Sequence, residues 1–218
     1  MFTDRLGPGA RDPAGSLAAM STSGDRPTLQ RDAIVAAARE LVATFGLEAL
    51  SLRRLAATLD VTAPALYAHV TDKHDLLRAV AEGQFDLLVT RYQAVHVADP
   101  VERIRAHCRA YVSLAQESPE LFRVMFLYPP DLGDNSELPE SMELPGATRA
   151  FNIAAEAVAE AIAAGAVVSD DPLLTALTLW AGVHGVANVL LLGFGLPPEL
   201  EDALIAEITD RTLRGYAP

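Results

Sequence analysis

Cysteine occurs once in the 218 residues, at Cys108, and lysine once, at Lys73. A lone cysteine excludes a disulfide framework and a multi-cysteine metal site, and it fits a reducing compartment. Residues 1–20 hold no continuous apolar run, being broken by Asp4, Pro8, Arg11, Asp12 and Pro13. No signal peptide is therefore expected, and a cytoplasmic location is. Alternation of apolar and polar residues at period two is missing, which argues against strands. No internal repeat is visible. There is no serine elbow, phosphate-binding loop or metal-spaced histidine pair. His107 and Cys108 are neighbours in sequence, so on a helix they point about 100° apart and do not face each other. An enzyme is not expected, nor a cofactor or a metal.

What is present is acidic and helical. The net charge of −12 is unevenly spread: −1 over residues 1–75 and −11 over residues 76–218. A nearly neutral segment can still set a few cations against phosphates, while a strongly acidic remainder is kept off a polyanion. Residues 1–27, rich in Gly, Pro, Ser and charge, read as a disordered tail, with Met20 an alternative start. Residues 173–196 carry no charged side chain, so length and hydropathy would allow a membrane span. Thr175, Thr178, His184 and Asn188 dilute that segment, and its flanks are acidic (Asp170, Asp171, Glu199, Glu201, Asp202) rather than basic. A buried interface helix is the expectation; a membrane-associated protein is the alternative.

The helical period places a first helix at about 29–45 on the stripe Ile34, Val35, Ala38, Leu41, Val42 and Phe45, stopped by Gly46. Ser51 caps a second to about Leu59, and Thr62 a third with Pro64 in its first turn. Asp72 caps a fourth, to about Val95. Further helices are expected at about 101–117, from Ser118-Pro119 to Leu127, and at 147–164, 172–192 and 198–214. Between them, residues 128–146 hold four prolines and five acids with no base, and read as an acidic loop. The fold class is all-α, with about nine helices.

Residues 51–70 read SLRRLAATLDVTAPALYAHV. A helix-turn-helix needs a small residue where its helices cross, and Ala56 is there. It needs apolar pins, and Leu52, Leu55, Leu59, Val61 and Leu66 supply them. Its turn needs a residue that tolerates positive φ, where Asp60 stands in place of the usual glycine. A plain antiparallel helix pair meets the same requirements. DNA is favoured by the cluster of Tyr67, His69 and Lys73 just beyond the third helix. A cation in a first helical turn opposes the helix dipole, and a phosphate would supply its missing partner.

Residues about 30–78 resemble the N-terminal domain of the TetR family of bacterial repressors, above all in VTAPALYAHVTDKHDLL from Val61 to Leu77. Trp180, His184 and Gly185, in LWAGVHG, resemble the WHG signature of one C-terminal subfamily. The resemblance implies a helix-turn-helix DNA-binding domain over 28–75 and a ligand-binding and dimerisation domain over 76–218. It places Tyr67, His69 and Lys73 on phosphates and Arg53 within reach of a base. Thr62, Ala63, Pro64, Ala65 and Ala68 fall on the exposed face of the recognition helix. Three of those five are alanine, so thymine-methyl contact and DNA shape should carry much of the readout.

The same resemblance implies a cavity for a small apolar or amphipathic effector. Candidate groups are Phe85, Leu88, Tyr92, His107, Tyr111, Phe122, Met125, Phe126, Phe151, Trp180 and His184, with His107, Tyr111, Phe126, Trp180 and His184 as the ligand-binding set. Helices 172–192 and 198–214 would pair with their copies into a homodimer that reads palindromic double-stranded DNA. The expected function is a repressor released by its effector; an activator of the same fold is the alternative.

Overall fold

The computed structural model describes residues 30–127 and 144–217. The expected tail at 1–27 and positions 128–143 of the acidic loop lie outside the described residues.

The first helix, α1, spans Arg31–Phe45 and buries Ile34, Ala38, Leu41 and Val42. Gly46 ends it at φ 81°, where its N–H returns to the Val42 carbonyl. A short 3-10 turn, Leu47–Ala49, leads to α2, Leu52–Thr58. Ser51 caps α2, its Oγ accepting from the Arg54 N–H at 3.2 Å. At the turn Asp60 adopts φ 52°, the one positive value outside glycine among the described residues. There the Val61 N–H closes onto the Ala56 carbonyl at 3.0 Å.

Next comes α3, Ala63–Leu66, a single turn. Thr62 sits at its N-cap, but the threonine side chain makes no capping bond. Two donors would normally take that bond. Pro64 has no N–H, and the Ala65 N–H is taken by the Thr62 carbonyl. Asp72 caps α4, Lys73–Gln93, accepting from the Asp75 N–H at 2.8 Å.

Then come α5 (Pro100–Glu117), α6 (Pro119–Met125), α7 (Pro145–Ala163), α8 (Pro172–Leu191) and α9 (Pro198–Arg214). No strand occurs among the described residues. The helix α7 begins inside the segment expected to be loop. Pro145 is preset for a first helical position, and the Gly146 N–H that would otherwise lack a partner donates to Glu82 Oε1 at 2.7 Å.

A reading head of α1–α3 is pinned by Ile34, Val42, Leu55 and Leu66, all fully buried. The long α4 leaves this head and packs on α6 and α7; α5 lies on α7 and α8, and α8 on α9. By length and composition alone α8 could cross a membrane. One face is packed, through Thr175, Ala176, Leu179, Val183, Val186 and Ala187, while Leu173, Leu174 and Val189 face outward.

Candidate DNA-contacting surface and internal cavity

Leu66 anchors α3 in the core and so turns its neighbours out. Thr62, Pro64, Tyr67 and Ala68 are exposed, Tyr67 by 58%. Ala63, Ala65 and His69 are half-buried beside them. Arg53 is exposed on α2, and no described residue pairs with it. Its neighbour Arg54 lies over the Phe45 ring, 4.5 Å from the centroid, a cation–π contact that keeps it on the protein.

Lys73 opens α4 half-buried. The two carboxylates nearest in sequence are already engaged: Asp72 by the Asp75 N–H, and Asp75 by Arg31 and the Thr71 N–H. No described residue pairs with Lys73. Its ammonium stands at a helix start whose dipole it opposes, an arrangement that an anion would relieve.

Arg31 makes a tertiary contact at this surface that helical spacing does not reveal. Its guanidinium donates to the His69 carbonyl at 2.6 Å and grips Asp75 by both oxygens, at 3.0 and 2.7 Å. This ties α1 to the turn that carries Tyr67, His69 and Lys73. The Arg31 hydrogen bond holds the Asp75 carboxyl below its ordinary range, against the opposing effect of burial. A contact between residues 44 apart leaves no trace in the periodicity of either helix.

The second feature is a partly open cavity of about 80 Å³ lined by α4, α5, α7 and α8 with Phe126 at the end of α6. Its walls include Phe85, Leu88 and Tyr92 from α4, and Ile104, His107, Cys108 and Tyr111 from α5. Ala147, Ala150 and Phe151 come from α7, and Leu179, Trp180 and Val183 from α8. Among the described residues no Asp, Glu, Lys or Arg side chain lines it.

Of the sequence-derived ligand set, His107, Tyr111, Phe126 and Trp180 line this space. His184 does not; it stands behind Tyr111, its Nδ1 2.8 Å from the tyrosine hydroxyl. That hydroxyl also accepts from Trp180 Nε1–H at 3.2 Å, and the Trp180 and His184 rings stack at 5.2 Å. Trp180 and His184 are thus joined through a tyrosine on another helix. Phe122 and Met125, also candidates, are fully packed in the core beside the cavity.

His107 is 5% exposed and stacks on Tyr92 at 4.5 Å. Neither of its ring nitrogens finds a partner among the described residues. Burial lowers its pKa, favouring the neutral ring, against the opposing pull of the Tyr92 backbone, which lies near the ring without meeting full hydrogen-bond geometry. Burial likewise pushes the Cys108 thiol up to about 11, so it is held as the weakly nucleophilic thiol. Among the described residues no group of His, Cys, Asp and Glu side chains is arranged to hold a metal.

Residues 34–80 match the family model described as bacterial regulatory proteins, tetR family. Residues 104–212 match a tetracyclin repressor-like C-terminal domain. The tetracycline repressor protein class C of Escherichia coli is 46% identical over 59 residues, 27% of either chain. An HTH-type transcriptional regulator of Mycobacterium tuberculosis is 28% identical over 191 residues, 86% of this chain and 81% of the relative.

A structure from Rhodococcus sp. RHA1, of unknown function, superposes with a TM-score of 0.72 at 28% identity, covering 86% of this chain and 95% of that one. At lower identity the fold recurs in TetR from Acinetobacter baumannii AYE in complex with minocycline (TM-score 0.62, 21% identity, 86% and 96% covered). It also recurs in AibR in complex with isovaleryl coenzyme A and operator DNA (0.55, 24%, 86% and 98%). With both halves matched and the reading head exposed in the order the motif requires, the chain belongs to the TetR family of bacterial regulatory proteins, DNA-binding transcriptional regulators of helix-turn-helix type.

Proposed function

We propose that this chain is an effector-released repressor that binds a two-fold symmetric DNA site as a homodimer. The observation that carries the reading is one continuous helix with a job at each end. At its start α4 presents Lys73 beside Tyr67 and His69; about three to five turns on, the same helix contributes Phe85, Leu88 and Tyr92 to the cavity wall. Tyr67, His69 and Lys73 take phosphates, Arg53 reaches a base, and Thr62, Ala63, Pro64, Ala65 and Ala68 lie along the groove floor.

A small apolar or amphipathic effector enters the cavity, with the ligand-binding set His107, Tyr111, Phe126, Trp180 and, through Tyr111, His184. It presses on α7, which is latched to α4 by the Gly146 N–H to Glu82 bond and by Arg149 on Asp86. Ligand and DNA then favour different settings of α4, with a coupling limited to the difference in ligand affinity between them. The fold neighbours crystallised with minocycline, and with isovaleryl coenzyme A plus operator DNA, support a chain that takes both a small ligand and DNA.

Outward-facing Leu173, Leu174, Val189 and Leu192, with Leu200 on α9, supply the apolar surface that a second copy would cover. A cytoplasmic dimer is the reading; a membrane-attached chain would leave the soluble fraction. The test is selection of host genomic fragments by the purified chain. The expected product is an imperfect palindrome with half-sites about one helical turn apart. Fragments without two-fold symmetry, or no enrichment at all, would remove the proposal. Transcription from a captured promoter with and without the chain separates repressor from activator.

A further inference from the structure

The outward face of α8 has the same order of side chains from either end. Its exposed residues run Leu174, Thr178, Ala181, Gly185, Asn188 and Leu192, in steps of four and three along one side of the helix. A large apolar side chain stands at each end, a polar one comes next inward, and two small residues lie in the middle. Leu174 is 57% exposed and Leu192 67%. A surface that meets its own copy across a two-fold axis needs this reversed order, with residue i on j and j on i.

The middle of that face carries an independent sign of close approach from outside. Glycine inside a helix costs about 0.5–1 kcal/mol relative to alanine. At Gly182 the chain itself supplies the reason: a Cβ there would lie 3.0 Å from Ile208 Cγ1 on α9. At Gly185 no described atom lies within 4 Å of where a Cβ would stand, and its backbone is helical, with no positive φ to favour glycine. The polar pair is only half used. Thr178 donates its hydroxyl to the Leu174 carbonyl at 2.8 Å, and Asn188 donates one amide hydrogen to the His184 carbonyl at 2.8 Å. A hydroxyl acceptor and a second amide hydrogen remain on the surface.

We propose that α8 pairs antiparallel with the α8 of a second copy, with the two-fold axis passing between Ala181 and Gly185. Leu174 then packs on the partner's Leu192, and Thr178 accepts from the partner's Asn188. The backbones come closest where Ala181 meets the partner's Gly185. The inference rests on the homodimer reading and adds to it which residues meet.

Charge and area both select a second copy as the occupant. The chain carries −12, so two copies repel except where charge is absent. Residues 173–196 hold no charged side chain, and a charged partner would find no counter-charge there. At 20 residues α8 is about 30 Å long. With axes about 8–10 Å apart, the strip it covers is about 300 Å² per copy, short of the roughly 800 Å² that a stable pair buries on each side. The remainder adjoins it: Val189, Phe194 and Leu200 are exposed around the same face.

Paired cysteines test the register. The only native cysteine, Cys108, is buried with its thiol pushed up to about 11, so the unsubstituted chain should give no cross-link. Leu174 and Leu192 lie about 27 Å apart along one helix, whereas bridged Cα atoms lie about 4.4–6.8 Å apart. No disulfide can therefore form between these positions within one chain. Under mild oxidation L174C/L192C should run as a covalent dimer on non-reducing gels, and L174C or L192C alone should not. G185L should keep the helical circular dichroism of the native chain and raise the dimer dissociation constant about tenfold in sedimentation. Cross-linking by either single variant, a native dimer whose double variant stays uncross-linked, or a G185L dimer as tight as the native one would each overturn the register and leave the dimer standing. A native chain that sediments as a monomer at all concentrations would instead sink the homodimer reading, and this inference with it.

Discussion

Arg31 holds the turn that carries Tyr67 and His69 to the body of the reading head, and its pairing with Asp75 can be isolated by a double-mutant cycle. The pair is two-pronged, at 3.0 and 2.7 Å. Ion pairs of this geometry are about twice as strong as neutral hydrogen bonds. The Arg31 side chain is 41% exposed and that of Asp75 20%, so solvent screens part of the attraction. The coupling expected from Arg31→Ala, Asp75→Ala and the double variant, by urea unfolding at neutral pH, is about 1 kcal/mol.

The directions of the shifts set the pH dependence. Asp75 is lowered by its hydrogen bond to Arg31, and Arg31 is raised by the same bond. A lowered carboxyl contributes fully above its unfolded value, near pH 4, and loses that contribution only as pH falls through the lowered folded value. Coupling should therefore be level from about pH 5 to about pH 8. Additivity within about 0.3–0.5 kcal/mol, or a coupling that fades between neutrality and pH 5 while Asp75 is still ionised, would refute the reasoning. Both single variants should also weaken DNA binding regardless of sequence, because the His69 carbonyl and the Thr71 N–H lose their anchors.

Lys73→Ala should weaken all DNA fragments alike and reduce the slope of log affinity against log salt by about one, whereas Arg53→Ala should cost about 1–3 kcal/mol and relax preference at one base pair. An unaltered salt slope for the first, or uniform weakening across operator variants for the second, would contradict those roles. Gly146→Ala would bring a Cβ to 2.9 Å from the Phe85 Cβ and 3.1 Å from Glu82 Oε1. Since a Cβ cannot rotate away, α7 must lift from α4, at about 1–3 kcal/mol in urea unfolding. Unchanged stability together with unchanged DNA affinity would show that the α4–α7 latch transmits nothing.

Helix positions were legible in the sequence because they depend on neighbours three and four residues away. The apolar stripe of α1 as far as Val42, the Ser51 and Asp72 caps, the stop at Gly46 and the positive φ of Asp60 are all local chemistry, and the structure has each of them, while Phe45, expected on the stripe, is exposed under Arg54. Where a local rule failed, a local reason sufficed: Pro64 removed one donor that Thr62 would have capped. The family was legible too, since the run from Val61 to Leu77 must meet a duplex in one geometry.

Contacts between distant helices were not legible. Periodicity says that a side chain faces inward but not which side chain it meets there. That Arg31 would hold Asp75, that Tyr111 would stand between Trp180 and His184, and that Gly146 would close on Phe85 depend on how the helices cross. The same holds for His107. The resemblance put it in the ligand-binding set, but only the packing of α4 against α5 decides that it stacks on Tyr92 at the cavity wall.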